Sequence, residues 1–446
     1  MASAANWLIL QGTEKNGTAG RAKVWGFIQG QFQQDFSTSH PTNDKFTPAK
    51  LIGPNLTSQN QININRARIG VRGTGMPIDS RINYFILSEF GNNGITGKLG
   101  RAKITDASMT FNHIPFARIR FGVFKYPGSE EGLQAIHVAD YINFSTVSNQ
   151  LMLERFPNDD NYVKNASGSG NTDTQKLGTS PSGLEKPIGA YRDVGIQLFD
   201  SYKHDEWEHS YALMMGNGNG LNYGDNNTNK TMYYYLSTER IFNGSGARRQ
   251  GIKVYAWYQS GLRSYDTDFS YTKQDSIDGE NNTTIGDVYK SANKTNYQQY
   301  KRRRMGAGFK FLKSGYRLSA EYLQGTGMIF LGPHKESFDV NKFGAAEGNG
   351  LEGTANGWYV DAGWRILKSN FELDLRYDKY NRLTGDKFET NFTTMTIGLQ
   401  YFANKKSRLT FNYTHRSAVS ANGVQGLEKN FEGLGGRLAL SAIAIF

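Results

Sequence analysis

The chain of 446 residues has no cysteine and only ten prolines. Lack of cysteine excludes disulfides, thiolate metal sites and covalently attached c-type haem on this chain. Scarce proline leaves extended segments with few forced breaks. No stretch approaches the ~18 apolar residues of a membrane helix, and mean hydropathy is −0.58. No shift of composition or charged linker divides the chain into separate domains. The seven histidines (His40, His113, His137, His204, His209, His334 and His415) fall mostly in loops or turns with no nucleophile elbow beside them, so no hydrolase constellation is visible. The apolar patch Trp7-Leu8-Ile9-Leu10 is too short for a leader and has no basic region before it, and the natural precursor is expected to carry a signal peptide.

What the chain does contain is glycine (51), tyrosine (25), phenylalanine (27) and sustained alternation. In the last segment Leu434, Gly436, Leu438, Leu440, Ala442, Ala444 and Phe446 share one face, with Arg437 and Ser441 on the other. A period of two puts successive side chains on opposite faces of a strand. Sixteen such strands are predicted: 22–36, 61–74, 81–90, 102–112, 117–124, 192–200, 209–216, 230–240, 251–263, 300–311, 316–324, 357–366, 370–380, 391–402, 408–416 and 433–446. Seven short turns alternate with eight long connections, so the long loops gather at one rim. An even count with both termini on the short-turn side predicts an all-β, transmembrane antiparallel barrel of the bacterial outer membrane. Only every second residue of such a barrel meets lipid, which reconciles the low hydropathy with a membrane location. Residues 1–20 are expected to form a periplasmic segment and 21–446 the barrel. Phe446, ending an alternating strand, is expected to act as the signal read by the outer-membrane assembly machinery.

One stretch breaks the pattern. Tyr126–Tyr191 is the longest interval without strand alternation; Glu130–Asn143 has helical spacing, and Asn158–Ser182 is polar and rich in Gly, Ser, Asn and Thr. Loops of this length are usually functional or disordered.

Net charge is +11 and the sequence pI about 9.4. The basic residues form no single tail or helix, which argues against nucleic acid as the partner. Alternation puts Arg66, Arg68, Arg72, Arg118, Arg120, Arg302, Arg304, Lys310, Arg317, Arg365, Arg376, Arg408, Arg416 and Arg437 on inward positions. Mid-depth lipid exposure would cost ~2–4 kcal/mol per Arg or Lys. A water-filled lumen lined by guanidinium groups favours anions. Glu321, Asp361, Glu372, Asp374 and Asp378 share that lumen, so the arginines either set an anion path or brace the wall in ion pairs. The run Lys301-Arg302-Arg303-Arg304 fits a lumen role or an external rim patch on lipopolysaccharide phosphates equally well.

Arg66-Ala67-Arg68-Ile69-Gly70-Val71-Arg72-Gly73 resembles the strand that the phosphate-selective porins O and P carry near their start. Arg118–Lys125 resembles their fifth strand entering the constriction loop, and Phe144-Ser145 through Leu153-Glu154-Arg155 its continuation. Tyr191–Leu198 and Asn217-Gly218-Asn219-Gly220 fit the segments that follow. The resemblance is clearest over Arg66–Gly220 and implies a sixteen-stranded homotrimer whose third external loop folds into the lumen. It would place Lys125, Glu130, Glu131 and Arg155 near the narrowest point. The lysine cluster of the phosphate-specific members has no residue-by-residue match, so a general anion preference is expected rather than phosphate specificity.

The expected function is passive diffusion of small hydrophilic solutes, past a filter made by Tyr126–Arg155 with inward arginines setting the preferred sign of charge. The expected anion path comprises Arg66, Arg68, Arg72, Arg118, Arg120, Lys125, Arg155, Arg302, Arg304, Arg317 and Arg365. No cofactor, metal or catalytic residue is expected. The expected partners are outer-membrane lipid and lipopolysaccharide, the assembly machinery, small anions and two further copies of the chain. The alternative is a barrel sheath or scaffold around a partner, such as a cytochrome in a trans-outer-membrane complex.

Overall fold

In a computed structural model of the chain, the alternating segments become one closed antiparallel barrel of sixteen strands. The structure describes residues 6–10, 13, 22–38, 59–75, 78–96, 101–153, 190–221, 225, 228–245, 249–265, 271–274, 285–289, 298–329, 353–366, 369–423, 428 and 431–446. The first nine barrel strands are β1 (Lys23–Asp35), β2 (Asn60–Gly75), β3 (Asp79–Glu89), β4 (Lys103–Phe111), β5 (Arg118–Lys125), β6 (Arg192–His204), β7 (Trp207–Gly216), β8 (Thr231–Asn243) and β9 (Gln250–Tyr265). A two-stranded ribbon, β10 (Tyr271–Gln274) and β11 (Ile285–Tyr289), lies in a connection expected to be loop throughout. The barrel resumes with β12 (Gln298–Lys313), β13 (Tyr316–Thr326), β14 (Thr354–Arg365), β15 (Phe371–Arg382), β16 (Thr390–Phe402), β17 (Ser407–Ser420) and β18 (Arg437–Ile445).

The two faces of each strand divide as lipid and lumen require. On β15, Leu373, Leu375 and Tyr377 are exposed outward, whereas Glu372, Asp374, Arg376 and Asp378 are buried inside. Closure joins the first strand to the last, with Phe27 opposite Ile445 and Asp35 opposite Arg437. Gly26 exchanges both backbone hydrogen bonds with Phe446, at 3.1 and 2.9 Å. A β-carbon at Gly26 would overlap the Phe446 ring and the Arg68 carbonyl. The expected assembly residue therefore sits in the closing seam, its ring half exposed on the outer face.

Two further features bear on the sequence reading. The helical spacing after Tyr126 yields only one α-helical turn, α2 (Glu130–Leu133), then a 3-10 turn at Ile136–Val138 and a π-turn at Ser148–Met152. The α2 turn stops because Lys125 Nζ binds the carbonyls of Gly132 and Gln134, at 2.8 and 2.5 Å. The run at residues 301–304 divides between faces, with Arg302 and Arg304 buried inside and Lys301 and Arg303 exposed outside. Asn158–Ser182 and Arg155 lie outside the described residues.

Candidate functional site

The segment between β5 and β6 enters the barrel and is tied to wall after wall. Ser129 Oγ donates to Glu321 on β13 at 3.0 Å. Glu130 is fully buried between Lys253 (2.5 Å, β9) and Lys310 (3.5 Å, β12), and also accepts from the Tyr235 hydroxyl on β8. Burial pushes its carboxyl up, but the two lysines outweigh that and hold it below the usual carboxylate range. Glu131 binds Arg376 at 3.1 Å and folds the loop on itself through Ser145. Asp140 faces Arg317 at 3.4 Å. The backbone of the loop is held as well. Arg376 and Arg408 donate to the carbonyls of Asn143 and Ala139, the Ile142 amide donates to Asn412, and the Thr146 amide donates to Asp378.

This inward loop also has an apolar footing. Tyr126 stacks on Tyr233 with centroids 5.0 Å apart, and Tyr191 donates from its hydroxyl to the Ser148 carbonyl. Tyr235, Tyr255, Trp257 and Tyr359 complete a buried aromatic bed with Val147, Leu151 and Met152 of the loop. In the run Tyr233-Tyr234-Tyr235 the structure buries Tyr233 and Tyr235 inside and exposes Tyr234.

The sequence-selected cations take up different positions around the lumen. On the β2–β6 wall, Arg66 donates to Gln29 at 2.7 Å, Arg72 to the Thr13 carbonyl at 2.8 Å, and Arg120 to Thr110 at 3.3 Å. Arg120 also lies over the Phe199 ring, 4.3 Å from its centroid. Arg68 pairs with Glu89 at 2.6 Å, and Arg118, partly open to solvent, faces Asp200 at 3.4 Å. Lys125 holds the end of α2, as described above. On the far side, Arg302 donates to Gln259, and Arg304 to the carbonyls of Leu151, Gly327 and Met328. Arg317 is surrounded by Asp140, Asp361, Glu372 and Asp374, while Arg365 lies over Phe402 at 4.5 Å. Sequence reasoning passed over Lys253, although it occupies an inward position of the ninth strand, and Arg192, which pairs with Asp106 at 3.0 Å where β6 begins.

The stretch of the N-terminal segment that the structure describes also lies inside the wall. A short helix, α1 (Trp7–Leu10), buries Trp7 and Leu8, and Asn6 donates to Glu208 and Ser210 on the inner face of β7. Those residues lie beside the short β6–β7 turn, so α1 occupies the short-turn end of the lumen.

His137, in the 3-10 turn of the loop, packs against Trp25 and Phe27 of β1, with ring centroids 5.9 and 5.3 Å away. Burial, then the charges of Lys125, Arg68 and Arg408, draw its pKa from 6.5 down to about 4. A histidine neutral in the folded state but protonated when released makes the anchored loop less stable as pH falls from about 6.5 toward about 4. Single-channel records over that interval should show rising current noise, with His137→Phe flat across it; equal pH dependence in the two proteins would refute the assignment.

No family model and no curated protein sequence matches the chain. Solved structures do. OmpF of Salmonella typhi, in complex with daunomycin, aligns over 95% of this chain and 97% of its own at 14% identity, with a TM-score of 0.52. The outer membrane channel DcaP of Acinetobacter baumannii covers 98% and 99% at 13% identity and a TM-score of 0.50. Outer-membrane-expressed OmpT of Vibrio cholerae covers 97% and 99% at 10% identity and a TM-score of 0.50. With its closed sixteen-stranded wall and apolar exterior, the chain has the fold of these outer-membrane barrels, and its place is the bacterial outer membrane.

Proposed function

We propose that the protein is a passive outer-membrane channel for small hydrophilic solutes with a preference for anions. The observation that carries this reading is the unequal use of charge on the two sides of the lumen. On β13–β15, Glu321, Asp361, Asp374 and Asp378 are each engaged by the inward loop, by Arg317 or by wall side chains. On the β2–β6 wall, Arg66 donates to the Gln29 amide oxygen, and Arg118, which faces Asp200 at 3.4 Å, remains partly open to solvent. Carboxylates so engaged are screened from a passing ion, whereas a guanidinium held by a neutral acceptor, as Arg66 is, keeps its long-range field. Arginine spaced along neighbouring strands supplies repeated weak binding, and its planar fork suits phosphate and carboxylate oxygens. The resemblance to the phosphate-selective porins favours a homotrimer, and without their lysine cluster it favours small anions in general over phosphate alone.

The test is the reversal potential of purified protein in a planar bilayer under a potassium chloride gradient. Wild type is expected to be anion-selective. One charge ~4 Å from an ion in water contributes ~1 kcal/mol, about fivefold per charge, so Arg118→Gln with Arg120→Gln should lower the anion-to-cation permeability ratio by at least about fivefold. A cation-selective wild type would overturn the account of the arginines; an unchanged ratio in the double variant would remove these two from the path.

A further inference from the structure

We propose that the outward faces of β9, β12 and β13, at the rim carrying the long loops, bind a phosphorylated glycolipid of the outer leaflet. Strand alternation splits residues 301–304 between the two faces of β12. Lys301 and Arg303 point away from the lumen and are exposed, two residues apart on β12, which sets their side chains about 7 Å apart along one face. The register places Arg303 opposite Ser260 on one side and Thr326 on the other. A lysine, an arginine and two flanking hydroxyls therefore share one outward patch, and all four can donate to phosphate oxygens. No acidic residue occupies an outward position of β9, β12 or β13 among the described side chains, and neither cation has an ion pair there.

Below the patch the chemistry changes in the order a glycolipid requires. Met305 is the next outward residue on β12, with Tyr258 beside it on β9. Tyr322, Val254, Leu236 and Leu318 continue downward, all exposed. Cations and hydroxyls thus stand at headgroup height above an aromatic belt and then an aliphatic wall, matching phosphosugar above acyl chains. A cation at the lipid face is disfavoured unless it meets headgroup phosphate. The outward cations of β12–β17 among the described residues respect this, since Lys301, Arg303 and Lys379 lie toward the long-loop rim and Lys313 lies at a short turn. Charge complementarity therefore selects the lipid whose phosphates populate the external leaflet.

The experiment titrates purified deep-rough lipopolysaccharide into the protein in neutral detergent and counts bound lipid by native mass spectrometry. Wild type should retain the glycolipid, and Lys301→Gln with Arg303→Gln should weaken binding at least about tenfold. Lys301→Arg with Arg303→Lys should keep most of the affinity, and Lys313→Gln, on the opposite leaflet, should match wild type. Binding by wild type should also weaken with added salt and with enzymatically dephosphorylated lipid, which tests the site even where a variant does not fold. Undiminished binding by the folded double glutamine variant, or by dephosphorylated lipid, would overturn the proposal. Displacement at equal concentration by phosphatidylglycerol would overturn it too, assigning the patch to anionic lipid at large.

Discussion

Replacing Arg317 by leucine is expected to lower stability by about 3–5 kcal/mol, the usual cost of breaking a buried charge pair from one side, and to loosen the inward loop. The guanidinium is buried and serves four carboxylates at once. It hydrogen-bonds Asp361 and Asp374, the latter at 2.5 Å, and faces Asp140 at 3.4 Å and Glu372 at 3.6 Å. Leucine fills much of the volume but leaves four negative charges crowded with little water to solvate them. Asp140 belongs to the inward loop, so the same substitution removes one of its anchors. Urea unfolding in detergent should show the stability loss, and single-channel recording a larger and noisier conductance. Changing Asp361 to asparagine in the Arg317→Leu background should restore part of the stability, because it removes one of the stranded charges. A leucine variant that unfolds at the wild-type midpoint would refute this role.

Gly122→Val is expected to prevent the barrel from forming, or to cost more than about 3 kcal/mol if it forms. Gly122 has φ of +130° within β5, a conformation nearly closed to a β-branched residue. A β-carbon there would also overlap the Ala107 carbonyl of the neighbouring strand, where the register sets Gly122 opposite Ser108. Valine thus meets two obstacles that cannot both relax without separating β4 from β5. Gly30→Ala is the matched comparison, since a β-carbon at Gly30 meets nothing within 4 Å; it should change stability by less than about 0.5 kcal/mol. Loss of the heat-modifiable folded band in the valine variant alone is the expected result. A valine variant that folds as stably as Gly30→Ala would show that the β4–β5 backbone tolerates the strain.

Strand number and facing were legible because they rest on period-two chemistry that each segment carries within itself. Leu440 and Phe446 could be placed on one face of the last strand, and Glu372 and Asp374 on the lumen side, without knowing their neighbours. What escaped was whatever depends on residues far apart in sequence. Nothing near Glu130 announces Lys253, which is 123 residues away, and nothing near Arg376 announces Glu131. Helical spacing after Tyr126 was a local signal overridden by a tertiary one, the lysine at the end of β5 that caps the first turn. Tyr233 and Tyr235 obscured the alternation of the eighth strand because the inner wall there is an apolar bed rather than a wet surface. The ionic partners of the lumen arginines were similarly hidden, since alternation assigns a face but not a neighbour.

The reach of the inward loop implies an order of events during biogenesis. It leaves the wall after β5, yet most of its polar fastenings lie on β8, β9, β12, β13, β15, β16 and β17, with one contact as far ahead as Asn412. Until those later strands exist and curl round, the loop has only its contacts with β1 to hold, and β1 waits with an unpaired edge for β18. Ring formation must precede or accompany the seating of the loop, because long-range contacts form only after their chain ends are brought together. A nascent barrel would therefore pass through a wide-bore stage, with the aperture narrowed only at the end.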